Sequence, residues 1–158
     1  MNSAEALRNY FLYTVTPTLD EFYQTPYDVR KGRIAAIILH HTDDYIFLAS
    51  QYHLNPYQRI KSFRDEKLSP AINCKYHSLI RDVCDASKHA LLDRTFDYIA
   101  SQDQVQATPG LFQEPNGFFA EASEVEVHSK DDGVIPLTLA LRETYDALKR
   151  YLTNEGIL

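Results

Sequence analysis

Apolar residues in the N-terminal half of the chain recur every three or four positions, a spacing typical of helices that bury one face. Ser3 is the predicted cap of a first helix, which should end near Val15 because Pro17 follows. One or two helical turns are expected over 18–24, and the longest helix over about 27–52. The predicted buried stripe of that longest helix comprises Ile34, Ile38, His41, Tyr45, Leu48 and Tyr52.

Two more helices are predicted between residues 55 and 92. Asn55-Pro56 is a cap followed by a proline in the first turn, and it begins a short basic helix that ends near Glu66. Pro70 opens another helix, which should end near Leu92. The predicted buried residues of this helix are Ile72, Tyr76, Leu79, Val83, Ala86 and Ala90.

After residue 92 the helical spacing gives way to strand-like alternation. Residues 105–107 read Val-Gln-Ala, and residues 124–128 alternate as Glu-Val-Glu-Val-His. Asp132-Gly133 predicts a tight turn before a second strand, so a hairpin is expected. A last helix should run from Pro136 to about Asn154, with Leu139, Leu141, Tyr145, Leu148 and Leu152 as its apolar positions.

These elements predict a mainly α fold in one domain, residues 1–158. The short connections between helices favour an antiparallel bundle of four to five helices. A small antiparallel β hairpin or sheet is inserted before the last helix, within an excursion over 95–135. Turns are expected in that excursion at Pro109-Gly110 and at Pro115-Asn116-Gly117.

Composition and charge narrow the function classes. With 16 basic and 22 acidic residues the net charge is −6, which excludes a globally basic nucleic-acid binder. Nearly all of the acidic excess lies in 95–135. The segment Tyr57–Lys67 is locally basic and aromatic, and it is either a solvated helix face or a surface for single-stranded nucleic acid. Its basic residues are Arg59, Lys61, Arg64 and Lys67.

The sequence also predicts a cytoplasmic protein. The first residues lack the basic start and apolar run of a signal peptide. The longest apolar stretch, Ile34–Leu39, is six residues, whereas a membrane span needs about 20. Cys74 and Cys84 are expected about 15 Å apart on one helix, too far for a disulfide. We therefore expect reduced thiols, no membrane association and no cofactor.

The first candidate for chemistry is the sequence His40-His41-Thr42-Asp43-Asp44. His41 falls on the apolar stripe and is expected to be a core histidine. His40 and Asp44 are four residues apart, so they share a helix face. Such a pair can bind a metal jointly, or the carboxylate can orient the imidazole.

The second candidate lies in the helix over 70–92. Asp82, Asp85 and His89 are expected within about 60° of one another on that helix, and Arg81 and Lys88 flank the row. The cluster is either a polar seam to another helix or subunit, or a catalytic or binding site. If the longest helix packs antiparallel to this one, His40 or Asp44 faces Asp85 or His89. Zinc, manganese or iron could then bind, with His40, Asp44 and His89 as the weak candidate ligands. No spacing here is diagnostic of a metal site, however, so none is expected.

The same helix carries a resemblance to a family of uncharacterised bacterial proteins. In that family a helix reads roughly Arg-Asp-x-x-Asn/Asp-Ala-x-Lys-His, and a strand pair with Lys-x-Asp-Gly precedes a closing helix. The resemblance spans about residues 10–152 and implies a bacterial helical protein without a known activity. The matching residues are Arg81, Asp82, Asp85, Ala86, Lys88 and His89, then Lys130-Asp131-Asp132-Gly133 and Tyr145.

A more distant resemblance is to HEPN domains. These are helical bundles, often dimeric, and many are RNA-cleaving toxins or phage-defence effectors. Their motif is an arginine, usually followed by a polar residue, with a histidine after four to six intervening residues. Here Arg81 is followed by Asp82, and seven residues separate Arg81 from His89. The resemblance implies a ribonuclease in which His89 is the general acid or base and Arg81 stabilises phosphate charge.

Three functions therefore stay open. The first is a non-enzymatic assembly or interaction module, expected to be a homodimer. The second is a HEPN-like ribonuclease or defence protein acting on nucleic acid, and the third is a metal-binding bundle. No enzyme class is supported by a motif, because the chain has no Gly-x-Ser-x-Gly elbow and no nucleotide-binding glycine loop. The candidate catalytic residues are Arg81, Asp82, Asp85, Lys88 and His89.

Overall fold

The computed structural model describes residues 2–50, 63–89, 97–107 and 124–158. It confirms the predicted fold class, because helices dominate and a small antiparallel sheet precedes the last helix. The turns predicted over 109–117 lie outside the described residues, as do residues 51–62 of the predicted long and basic helices.

The N-terminal segment is one continuous run of helix, and the predicted end before Pro17 is wrong. Helix α1 (Ser3–Tyr10) passes through a π-helical turn (Phe11–Val15) into α2 (Thr16–Gln24). Val15 and Thr16 keep right-handed helical angles there, and Pro17 lies in the first turn of α2, where a proline is tolerated. The predicted cap is also displaced by one residue, because Asn2 Oδ1 accepts the backbone N–H of Glu5 at 2.7 Å.

The predicted longest helix is two helices in the structure. Helix α3 (Val29–His40) and helix α4 (Thr42–Ala49) are separated at His41, whose backbone stays close to helical (φ −63°, ψ −14°). The predicted buried stripe is wrong at Ile34 and Leu48, which are 39% and 65% exposed. Ile38 and Tyr45 of the same stripe are partly buried against the core. Small residues take their place on the inner face, where α3 packs closely on its neighbours. The buried residues of α3 are Gly32, Ala35, Ala36, Leu39 and His40.

Gly32 shows how close that approach is. A Cβ added there would lie 2.9 Å from Leu137 Cδ2 and 3.1 Å from Phe22 Cε2. The predicted stripe was based on large apolar side chains. It therefore did not include the buried face of α3, which is formed largely by glycine and alanine.

The helix predicted from Pro70 is also divided. A π-helical turn (Arg64–Leu68) leads into the short helix α5 (Ser69–Ile72). Asn73 then adopts a left-handed conformation (φ 47°), which asparagine tolerates better than most residues, and it ends α5. Helix α6 (His77–His89) follows. Residues 90–92 of the prediction lie outside the described residues.

The sheet has three antiparallel strands, in the order β1 (Val105–Ala107), β2 (Val125–Ser129) and β3 (Gly133–Pro136). Val105 pairs with Val127, which pairs with Ile135, and these three side chains are buried on one face. Gly133 has a φ of 73° at the predicted turn, a conformation that favours glycine.

Helix α7 (Leu137–Asn154) matches the predicted last helix closely and packs against α3, α6 and the sheet. Leu141, Leu148 and Leu152 are buried as expected, whereas Leu139 is 40% exposed. α7 thus completes a hydrophobic core that also includes Phe11, Phe22, Leu39, Leu79 and Ile99. Among the described residues, no helix is both long and apolar enough to cross a bilayer.

Candidate functional site

A polar cluster lies where the break at His41 brings the end of α3 and the start of α4 against α6. His40 is 6% exposed and Asp43 is 1% exposed, so both side chains lie inside the protein. The apolar stripe in the sequence predicts His41 as the core histidine. The structure corrects this, since His41 is only half-buried and the preceding His40 is the buried one.

Asp43 is the centre of the cluster. Its Oδ2 lies 3.0 Å from His77 Nε2, 3.0 Å from Arg64 Nε and 3.5 Å from His40 Nδ1. Burial by itself would raise the pKa of Asp43, but His77, His40 and Arg64 outweigh it and hold that pKa below its ordinary value. The buried carboxylate is therefore ionised at neutral pH.

The partners of Asp43 are themselves held in place. His77 Nε2 donates to Asp43 Oδ1 over 3.1 Å, and His77 Nδ1 lies 3.2 Å from Ser69 Oγ. Arg64 Nη2 donates to Asp44 Oδ1 over 3.3 Å. These contacts, which we call the Asp43 network, tie α4, α5, α6 and the π-helical turn before α5 together. Its members are His40, Asp43, Asp44, Arg64, Ser69 and His77.

A second group of side chains also includes His40. One possible ligand atom from each of His40, Cys84 and Asp85 lies within 4.8 Å of the others. His40 and Cys84 are buried, whereas Asp85 is half-buried. We call these three residues the His40–Cys84–Asp85 cluster. It brings together an imidazole nitrogen, a thiol sulfur and a carboxylate oxygen, all of which are metal ligands.

The protonation states of this cluster favour a ligand role for the imidazole. Burial lowers the pKa of His40 to about 3, against the opposing effect of Asp43, so the ring is neutral at pH 7. Burial raises the pKa of Cys84 to about 11, so without a metal it is a thiol. Among the residues that the structure describes, none forms a hydrogen bond with His40 Nδ1.

Lys88 is exposed and contacts the histidine that directly follows His40. Its Nζ is 3.1 Å from His41 Nε2. Burial and then the charge of Lys88 lower the pKa of His41, so the neutral ring accepts a hydrogen bond from the ammonium group.

The predicted row of Asp82, Asp85 and His89 is on one continuous helix, but its members have different surroundings. Asp82 is fully buried, and its Oδ2 accepts the backbone N–H groups of Asp97 and Tyr98 over 2.9 and 2.8 Å. Asp85 lies by His40, and His89 is exposed at the end of α6. Asp82 thus anchors the backbone at residues 97 and 98, whereas Asp85 belongs to the His40–Cys84–Asp85 cluster.

Removal of the Asp82 carboxylate should destabilise the protein. Asp82→Ala leaves two backbone N–H groups without their acceptor, so we expect the free energy of unfolding to fall by about 2–4 kcal/mol. Urea denaturation measures the loss, and hydrogen exchange should speed up at the amides of Asp97 and Tyr98. Glu143→Ala removes an exposed carboxylate of α7 and is the control. Equal stabilities of the two variants would contradict the anchoring role.

The other predicted site residues fall into three places. Arg81 forms ion pairs with Asp97 at 2.9 Å and with Asp65 at 3.4 Å. Asp44 forms an ion pair with Arg64. It is not a member of the His40–Cys84–Asp85 cluster. Within the described ranges, no contact joins Arg81 to His89 or His89 to His40.

The interpretation of Tyr57–Lys67 as an exposed basic segment is wrong for Arg64. The side chain of Arg64 is only 15% exposed and pairs with Asp43, so it is not on a solvated face. Lys67 is exposed, whereas residues 57–62, with Arg59 and Lys61, lie outside the described residues.

Sequence reasoning missed four members of the site: Asp43, Arg64, His77 and Cys84. The sequence offers a clue to two of them, because Asp43 lies within the candidate motif that begins at His40 and Cys84 directly precedes Asp85. Nothing local marks Arg64 and His77, because their roles depend on contacts between distant segments.

Comparisons of this chain with protein-family models, with curated proteins and with solved structures find no match. The resemblance to the bacterial helical family, the HEPN-like activity and the homodimer therefore stay predictions.

Proposed function

We propose that this protein is a metal-binding helical bundle that holds one divalent transition metal ion, with Zn²⁺ as the best fit, through His40, Cys84 and Asp85. The observation that carries the proposal is the convergence of three different donor atoms within 4.8 Å. They come from the end of α3 and the middle of α6, so folding itself assembles the site.

The donor set favours zinc over the hard cations. Mixed nitrogen, sulfur and oxygen ligands suit a borderline-soft metal, whereas Mg²⁺ and Ca²⁺ prefer oxygen ligands alone. Zinc bond lengths of about 2.0–2.3 Å place ligands of one tetrahedral ion roughly 3.3–3.8 Å apart. The three ligand atoms, which lie within 4.8 Å of one another, therefore have to approach each other by up to about 1.0–1.5 Å on binding.

The Asp43 network supplies the support that a metal-binding histidine needs. Histidine ligands are commonly oriented by a carboxylate, which also raises their basicity. Asp43 lies 3.5 Å from His40 Nδ1 and is itself held by His77 and Arg64. This contact lacks hydrogen-bond geometry, so Asp43 acts on the ring of His40 through its charge.

Three protein ligands leave one coordination position for water or another ligand. Zinc sites with three protein ligands and an open position are typical of catalytic centres, whereas structural sites have four. Asp85 is half-buried, so the site is not wholly enclosed by the protein. The proposal requires a reducing compartment, in agreement with the expected cytoplasmic location, because oxidised Cys84 would not bind.

Zinc titration of the purified, metal-free protein tests the proposal. We expect one equivalent to bind, as measured by calorimetry and by elemental analysis after dialysis. Cys84→Ser should weaken binding at least about tenfold, since a thiolate ligand is lost. Cys74→Ser, which changes the other free cysteine, should bind as the unaltered protein does. Absence of binding, or equal loss in both variants, would overturn the proposal.

A further inference from the structure

Ser69, His77 and Asp43 form a chain of hydrogen bonds that begins near the surface and ends in the interior. Ser69 Oγ lies 3.2 Å from His77 Nδ1, and His77 Nε2 lies 3.1 Å from Asp43 Oδ1. Ser69 is half-buried, whereas His77 and Asp43 are 4% and 1% exposed. A hydroxyl, an imidazole and a carboxylate in this order are the three groups of a nucleophilic triad.

The charge of Asp43 sets the direction of these hydrogen bonds. Against the effect of burial, His77, His40 and Arg64 keep the pKa of Asp43 below its ordinary value, so the carboxylate is ionised and only accepts hydrogen bonds. The proton on His77 Nε2 therefore points to Asp43. In the neutral ring Nδ1 then has a free electron pair, and it accepts the hydroxyl proton of Ser69.

We propose that Ser69 is a nucleophile that accepts an acyl group from small esters, with His77 as its general base. Asp43 is the positioning residue that holds the ring proton on Nε2. Ser69 begins α5, His77 begins α6 and Asp43 lies in the first turn of α4, so folding assembles the three groups. The inference goes beyond the proposed metal site, because none of these residues is a proposed zinc ligand and the reaction needs no metal.

The reaction consists of two acyl transfers at the same oxygen atom. Ser69 Oγ attacks the carbonyl carbon of the ester while its proton passes to His77 Nδ1. The bond from that carbon to the leaving oxygen then breaks, and His77 gives the proton to the leaving alcohol. In the second transfer water attacks the acyl-serine and gives a proton to Nδ1. The bond to Oγ breaks, Oγ takes this proton, and a carboxylic acid is released.

The surroundings of Ser69 favour esters with good leaving groups. The backbone N–H of Ser69 donates to the carbonyl oxygen of Arg64, and Pro70 has no N–H. Neither residue can therefore stabilise the negative charge that develops on the carbonyl oxygen, a contribution that an unactivated ester needs most. Pro70 and Ala71 are exposed, so the serine lies at the surface, where a small ester can reach it.

Acetylation of the full chain by p-nitrophenyl acetate tests the role of Ser69. We expect a burst of one equivalent of nitrophenolate and one acetyl group on Ser69, found by peptide mass spectrometry after acid quenching. Ser69→Ala should abolish the burst. Ser87→Ala is the matched control and should keep it, because Ser87 is also half-buried but its Oγ donates to the carbonyl oxygen of Val83. Acetyl groups only on other side chains, or an equal burst in Ser69→Ala, would overturn the proposal.

The tautomer of His77 tests the base without any loss of stability. Nitrogen-15 NMR of the unaltered protein at mildly alkaline pH should show the proton on Nε2 and a bare Nδ1. Asp43→Asn should shift the ring toward the other tautomer, because the amide no longer fixes the proton. His77→Gln, if its melting curve shows a folded protein, should acetylate Ser69 at least about a hundredfold more slowly. A proton on Nδ1 in the unaltered protein would leave Ser69 without a base and would overturn the proposal.

Discussion

Replacement of Asp43 by alanine should lower the free energy of unfolding by about 3–5 kcal/mol. The reason is that Arg64 and His77 both lie 3.0 Å from its Oδ2 and are themselves largely buried. Without the carboxylate, the guanidinium keeps its charge in a site that water does not reach freely. Removing one member of a buried ion pair is among the most costly single changes in a protein.

Asp44→Ala is the matched control for Asp43→Ala. Asp44 is the next residue and also pairs with Arg64, at 3.3 Å, but its side chain is 45% exposed. Such a pair is expected to contribute less than about 1 kcal/mol. Urea denaturation of both variants measures the contrast. Comparable losses at the two positions would show that the buried network does not hold the helices together.

A double-mutant cycle tests whether the stability lost on removal of Asp43 comes from its ion pair with Arg64. Arg64→Met removes the stranded charge, so the loss in Asp43→Ala/Arg64→Met should be smaller than the sum of the two single losses by about 0.5–3 kcal/mol. Strict additivity would mean that the two side chains act independently.

The second large effect is thermal stabilisation by zinc. Free Zn²⁺ at about 100 times its dissociation constant adds about 2.7 kcal/mol to the stability of a protein that binds it only when folded. For a chain of this length that raises Tm by roughly 5–11 °C. We expect such a shift in the unaltered protein, measured by calorimetric or fluorescence melting.

Two carboxylate variants test where the stabilising zinc binds. Asp85→Asn should lose most of the thermal shift, because Asp85 supplies the oxygen ligand. Asp44→Asn changes the carboxylate that the sequence pattern alone had paired with His40, and its shift should match that of the unaltered protein. The reverse result would place the metal on Asp44 instead.

Much of the fold could be predicted from the sequence because its strongest signals are local. The last helix and the hairpin were predicted well, since the leucine spacing of α7 and the turn at Gly133 both act over a few residues. The breaks at His41 and Asn73 were missed. Neither carries a proline or glycine, and the backbone of His41 departs only slightly from helical values.

The candidate site was predictable in outline only. Helix packing correctly suggested that His40 or Asp44 could face Asp85, and the structure brings His40 and Asp85 together. It does not place Asp44 or His89 in that group. Cys84 was missed because a lone thiol in an apolar helix face resembles an ordinary core residue. Arg64 and His77 were missed because only the tertiary fold brings them to Asp43.

A zinc-soaked crystal, measured on both sides of the zinc absorption edge, tests the central claim most directly. We expect one anomalous peak about 2.0–2.3 Å from a ring nitrogen of His40, from Sγ of Cys84 and from a carboxylate oxygen of Asp85. Peaks only at other side chains, with those three residues unbound in zinc-saturated crystals, would contradict it.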